Sequence, residues 1–119
     1  MLSALRIMVV DDYEPLRYLK TILLRRGGAR VVEAKSGREA LQILELEPID
    51  LAVLDINLPD MSAIELGEAM RADAETALIP VIYTSASERP AGLAPDAVFF
   101  QEPIDRAELT RTILHLTKR

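Results

Sequence analysis

Three aspartates in this chain stand where carboxylates can hold a cation and where one of them can act as a nucleophile. Asp11 and Asp12 follow the apolar run Ile7-Met8-Val9-Val10, and Asp55 follows Leu51-Ala52-Val53-Leu54. On adjacent parallel strands, the two runs bring all three carboxylates to one edge of a sheet. There they repel one another unless a counter-ion is present or a proton is retained. Oxygen-only ligands, in a chain with no cysteine and with its one histidine on the last helix, favour Mg²⁺ over zinc. An aspartate beside such an ion can attack a phosphoryl donor and become an acyl phosphate, because the metal neutralises charge on both partners. Each acid also has a plainer reading, Asp11-Asp12 as a helix cap and Asp55 as a turn residue before Asn57 and Pro59. Their placement on successive strand ends favours the chemical reading.

The elements that must position these acids alternate along the chain. Strand candidates are Arg6–Val10, Arg30–Ala34, Leu51–Asp55 and residues 81–84 and 97–100. The first and third are nearly all apolar, as strands buried on both faces must be. A first helix is predicted over 13–26, with Pro15 in its first turn and Leu16, Leu19 and Leu23 on one face. Arg25-Arg26 suits the negative end of its dipole and Gly27-Gly28 stops it. A second opens on the capping-box pattern Ser36-Gly37-Arg38-Glu39, turns Ala40, Leu41 and Leu44 inward and closes at Pro48. A third opens on Ser62-Ala63-Ile64-Glu65 and turns Leu66, Ala69 and Met70 inward. The last begins at Ile104-Asp105-Arg106 and runs through Leu109, Ile113 and Leu116. Between Ser85 and Ala97, Pro90, Gly92 and Pro95 leave room for a single turn at most. This alternation predicts an open doubly wound α/β fold, in which ligands bind beyond the carboxyl ends of the strands.

Composition narrows the function classes. The 119 residues suit one domain, 1–119, and with few aromatics its core must be aliphatic. A net charge of -5 argues against direct nucleic-acid contact, which needs clustered Lys and Arg. Arg25-Arg26 and Lys118-Arg119 read as helix ends. Absence of cysteine excludes disulfides, thiolate metal sites and cysteine nucleophiles. The apolar runs are too short to span a bilayer, and the amino terminus does not read as a signal peptide, so a cytoplasmic domain is the default. No Gly-rich phosphate loop follows the first strand, which disfavours nucleotide binding.

The Asp11-Asp12 pair, the segment Asp55-Ile-Asn-Leu-Pro-Asp-Met, the segment Pro80-Val-Ile-Tyr-Thr-Ser-Ala and the Glu102-Pro103 step together resemble the receiver domains of two-component response regulators. The resemblance covers essentially the whole chain. It implies a flavodoxin-like, five-stranded parallel sheet in order 2-1-3-4-5, here with a shortened or irregular fourth helix. It implies that Asp55 is the phosphoacceptor, and that Asp12 and Asp55 bind Mg²⁺ directly with Asp11 acting through water. The backbone carbonyl of Asn57 would be a further ligand. Ser85 would take the position of the hydroxyl that moves to the phosphoryl group, and Phe99 that of the aromatic switch. A histidine kinase or phosphotransfer protein would be the donor, with an output protein downstream. Apart from self-phosphorylation and slow autodephosphorylation, no enzymatic activity is implied.

The chain departs from that pattern in three places. Receivers carry Lys before the proline at the end of the fifth strand, and Glu102 stands here. Three aspartates and one ammonium sum to -2, whereas three aspartates and Glu102 sum to -4. A like-charge contact near 4 Å costs on the order of 4 kcal/mol at an effective dielectric of about 20. Glu102 therefore either destabilises the phosphoryl group, turns to solvent, or becomes an extra metal ligand. Ala63 replaces a usual glycine, which puts a left-handed backbone there in question. The third departure is the shortened stretch before the fifth strand, where the usual signalling surface lies. These features keep open an alternative: a degenerate receiver acting as a phosphorylation-independent interaction module. A phosphohydrolase of the haloacid-dehalogenase type is disfavoured, because Asn57 stands where its second aspartate belongs.

Overall fold

The computed structural model describes residues 1–118, so Arg119 of the last helix-end pair lies outside the described residues. The elements are β1 (Arg6–Val10), α1 (Glu14–Arg26), β2 (Arg30–Ala34), α2 (Gly37–Leu46), β3 (Leu51–Asp55), α3 (Ala63–Ala72), β4 (Val81–Ser85), β5 (Val98–Gln101) and α4 (Arg106–Leu116). All strand pairs are parallel and the sheet order is β2-β1-β3-β4-β5. The doubly wound expectation and its strand order are both met. Val10 lies opposite both Ala34 and Leu54, and Asp55 opposite Thr84. The register thus brings Asp11 and Asp55, each next after that row, to one edge.

Both faces of the sheet are covered, which is why β1 and β3 are apolar but for Arg6 at the start of one and Asp55 at the end of the other. On one face Met8, Val10, Leu54 and Tyr83 pack with Ala40 of α2 and with Leu66 and Met70 of α3. On the other, Ile7, Val9, Val53 and Ile82 pack with Leu24 of α1 and with Leu109 and Ile113 of α4. Between β4 and β5 no helix forms. Two turns, closed by Leu93 N–H donating to the Pro90 carbonyl (3.2 Å) and Ala97 N–H to the Ala94 carbonyl (3.0 Å), carry the chain across. Leu93, 6% exposed, fills the core there. Pro90, Gly92 and Pro95 account for the missing helix, as expected.

Local signals hold with corrections. Ser62 makes a full capping box with Glu65, whereas Ser36 accepts from the Glu39 N–H but the Glu39 carboxylate turns to the Lys35 N–H instead. β4 runs one residue further, and β5 sits one residue later, than the apolar runs suggest. Ala63 opens α3, and the only non-glycine residue with positive φ among the described residues is Ala4. Ala69 is exposed, because the buried row of α3 is Ala63, Leu66, Gly67 and Met70. Gly67 belongs in that row because the Tyr83 hydroxyl lies where a Cβ would stand.

The largest correction concerns α1. Its buried residues are Arg17, Lys20, Thr21 and Leu24, while Leu19 is 56% exposed and Leu16 and Leu23 are half-buried. The helix turns its cations toward the sheet because carboxylates wait for them at the strand ends.

Candidate functional site

The β1–α1 turn is held by its own charges. Asp11 is buried; its N–H donates to the Ala34 carbonyl (3.0 Å), and its Oδ1 accepts from the Tyr13 N–H (3.0 Å). Arg17 reaches back to donate to the Asp11 carbonyl (2.9 Å) while its Nε pairs with Glu33 on β2 (3.0 Å). Asp12 is exposed beside it. On β3, Asp55 is partly buried, and no hydrogen bond or ion pair reaches its carboxylate among the described residues. Carboxylate oxygens of Asp11, Asp12 and Asp55 lie within 4.8 Å of one another. Burial, and next the negative charge of Asp11, push the Asp55 carboxyl up from 3.8 to about 7, while Lys20 pulls it down.

Lys20 is the residue that the sequence reading missed. Its side chain is 3% exposed, and its Nζ meets Asp11 Oδ2 at 2.8 Å, Glu102 Oε2 at 3.1 Å and Thr84 Oγ1 at 3.1 Å. The Asp11 and Glu102 contacts are ion pairs without the angular geometry of a hydrogen bond, and Thr84 accepts the hydrogen bond. Glu102 points inward, with its side chain 8% exposed, and neither turns to solvent nor stands unopposed. Four carboxylates and one ammonium make a formal -3 rather than the -4 that the sequence suggests. The signal that could have found Lys20 is its place on the same helical row as Arg17, three residues apart, facing the acidic strand ends.

The other expected residues surround this cluster at different depths. Ser85 is buried at the end of β4, its Oγ accepting from the Ser87 N–H (3.0 Å) and its carbonyl from the Glu102 N–H (2.8 Å). The Glu102–Pro103 peptide is cis. Asn57 is exposed, bridged in antiparallel fashion to Ser62. Phe99 sits further back along β5, opposite Tyr83, half-buried against the α2–α3 side of the core. The loop carrying Asn57 is fastened at a point that the sequence did not reveal. Both carboxylate oxygens of Asp60 accept from the first N–H groups of α2, Gly37 and Arg38, at 2.9 Å each. Those bonds hold the Asp60 carboxyl below 3.8.

The donor set fits Mg²⁺: three clustered carboxylates, one of them without a hydrogen-bond partner, and no His or Cys among them. No helix of the described residues is long and apolar enough to cross a membrane.

Comparison with known proteins agrees with this geometry. The family model for the response regulator receiver domain matches residues 7–113. The CAI-1 autoinducer sensor kinase/phosphatase CqsS of Vibrio cholerae is 37% identical over 90 residues, which cover 75% of this chain but 13% of that protein. Chemotaxis protein CheY of Pseudomonas aeruginosa is 34% identical, covering 71% of this chain and 69% of CheY. Among solved structures, response regulator TrrA of Thermotoga maritima, in complex with Mg(2+)-BeF, superposes with a TM-score of 0.83 at 27% identity, over 94% of this chain and 98% of that one. With five parallel strands in the same order and the acids at their carboxyl ends, the chain belongs to the receiver domains of response regulators.

Proposed function

We propose that this chain, as a single cytoplasmic receiver domain over 1–119, accepts a phosphoryl group on Asp55 from a histidine kinase or phosphotransfer protein and presents it to an output protein. The observation that carries the reading is the Asp55 carboxylate, free of hydrogen bonds and within 4.8 Å of Asp11 and Asp12 at the open edge of the sheet. A carboxylate so placed can attack phosphorus. A new P–O bond forms as the P–N bond to the donor histidine breaks, and the electron pair returns to the imidazole nitrogen. Asp12, Asp55 and the carbonyl of Asn57 would hold Mg²⁺, with Asp11 acting through water, and the ion would neutralise charge on the transferred oxygens. The occupation of both Asp11 oxygens, by the Tyr13 N–H and the Lys20 ammonium, supports that indirect role. The TrrA structure holds Mg(2+)-BeF on the same fold, which supports the same pairing of ion and phosphoryl group here.

Ser85, whose Oγ accepts from the Ser87 N–H, would turn its hydroxyl to donate to a phosphoryl oxygen, and Phe99 would follow toward the space that opens. Slow attack of water on the acyl phosphate returns the carboxylate. An apolar groove of Leu16, Leu19, Leu23, Pro103 and Ile104 runs beside Lys20 and Glu102, which supports a protein as the donor. Incubation with acetyl phosphate and Mg²⁺, followed by intact mass, is expected to add one phosphoryl group that Asp55→Asn abolishes. Labelling that persists in Asp55→Asn overturns the assignment. The helix-free β4–β5 connection favours a second reading, a constitutive interaction module. That reading requires a folded, Mg²⁺-binding wild type that takes no phosphoryl group at any time.

A further inference from the structure

Lys20 is held like a component of the site rather than like a surface lysine. A buried ammonium needs a partner for each of its protons. This one meets three oxygens at the carboxyl ends of three strands, with a hydrogen bond to Thr84 on β4 and ion pairs to Asp11 after β1 and Glu102 after β5. A phosphoryl group on Asp55 brings a charge of about -2 into this basin. On the β1 side a divalent ion can answer it. On the β5 side the basin offers Glu102, which repels it. Among the described residues Lys20 is the one cation ion-paired within the cluster, since the other ion pairs, Arg6–Glu47 and Arg17–Glu33, lie outside it.

Resting on the phosphoacceptor reading above, we propose that Lys20 on α1 is the cation that binds the phosphoryl group carried by Asp55, and that Glu102 is the anchor that aims it. The ion pair is thereby transposed, with its cation on a helix and its acid on the strand end. Two of the three resting contacts are suited to exchange. Thr84 offers a neutral hydroxyl, and Asp11 keeps the Tyr13 N–H on its Oδ1 when the ammonium leaves its Oδ2. A phosphoryl oxygen would replace either with a charge-assisted hydrogen bond, roughly twice as strong as a neutral one. The flexible four-carbon stem lets the ammonium turn while Glu102 Oε2 keeps hold of it. Glu102 also retains a buried Oε1 without a hydrogen-bond partner, so it has no competing attachment there.

The test measures the rate of labelling by acetyl phosphate and Mg²⁺, and the lifetime of the acyl phosphate, in three proteins. These are the wild type, the neutral pair Lys20→Met/Glu102→Gln, and the relocated cation Lys20→Met/Glu102→Lys. The neutral pair removes both charges of the Lys20–Glu102 pair, so Glu102 is not left buried and alone, and Asp11, though it loses its ammonium, keeps the Tyr13 N–H. It is expected to label on the order of 100-fold more slowly, the usual cost of removing one preorganised donor. The relocated cation is expected to recover most of that loss. A folded neutral pair with wild-type rate and lifetime overturns the proposal, as does failure of a folded relocated pair to recover. A wild type that takes no phosphoryl group overturns the phosphoacceptor reading itself, a distinct result. If the neutral pair does not fold, the wild type carries the test. Its Lys20 side-chain resonance should shift on adding beryllofluoride with Mg²⁺ and stay unmoved in Asp55→Asn; no shift in the wild type overturns the proposal.

Discussion

Asp55→Asn is expected to stabilise the metal-free protein above neutral pH, although it removes the nucleophile. The folded protein raises the Asp55 carboxyl from 3.8 to about 7, first through burial and then through the charge of Asp11. Between about pH 4 and 7 the folded state therefore holds a proton that the unfolded chain has released. Stability falls as pH rises through that window, and the full penalty remains above it. A shift of roughly three units corresponds to about 4 kcal/mol at about 1.4 kcal/mol per unit. Asp55 is only partly buried, so solvent screening reduces this to about 2 kcal/mol. Asparagine carries no charge, and the carboxylate it replaces accepts no hydrogen bond that would be lost. Urea unfolding with a chelator present should place the variant's midpoint about 1 M above wild type at pH 8, and much closer at pH 5. Saturating Mg²⁺ should shrink or reverse the gap, because the ion binds the folded wild type through the missing carboxylate. Equal midpoints at pH 8, or a larger gap at pH 5, would refute the electrostatic reasoning.

Gly67→Ala should cost about 1–3 kcal/mol by denaturant unfolding, because its Cβ meets the Tyr83 hydroxyl; Tyr83→Phe in that background should restore part of the loss. Leu93→Ala should cost about 2 kcal/mol, at the low end for a buried leucine because the surrounding turns can settle inward; a change near zero would show that Leu93 does not close the core. Asp60→Ala should lower the urea midpoint at pH 7. Since the folded protein holds the Asp60 carboxyl below 3.8, that difference should persist down to about pH 4 and fade as the acid is titrated; a constant difference down to pH 2 would rule out the carboxylate as the cap of α2.

Strand positions, the order of elements and the carboxylate triad were legible because each rests on a local pattern. β1 and β3 are apolar on both faces and end in acid, and that alone places Asp11 and Asp55 on one edge once the strands run parallel. The broken β4–β5 connection was legible from Pro90, Gly92 and Pro95, because proline and glycine act within a few residues of themselves. What escaped is what depends on distance. Lys20 is 64 residues from Thr84 and 82 from Glu102, and Asp60 is 23 from Gly37. No local pattern marks such partners. Glu102 shows the consequence, since its charge was legible but its counter-ion was not, and the sign of its effect on the site depended on the counter-ion.

The same distance effect explains why hydrophobic spacing misplaces the buried face of α1. Leu16, Leu19 and Leu23 form one stripe, and Arg17, Lys20, Thr21 and Leu24 form the next stripe about 100° around the helix. Hydrophobic spacing alone selects the leucines, and burying one of them fully gains about 2 kcal/mol. Turning the helix to do so would withdraw the ammonium from Asp11 and Glu102 and the guanidinium from Glu33 and the Asp11 carbonyl. An uncompensated buried charge costs about 3–5 kcal/mol when its partner is removed, and two carboxylates would lose theirs. The cations therefore win the buried side, with only Leu24 contributing to the core in the usual way. The leucines are left facing outward beside Pro103 and Ile104, next to the acids that displaced them. An apolar surface at the rim of the phosphorylation site thus follows from the electrostatics of the site itself, and the placement of Lys20 determines both.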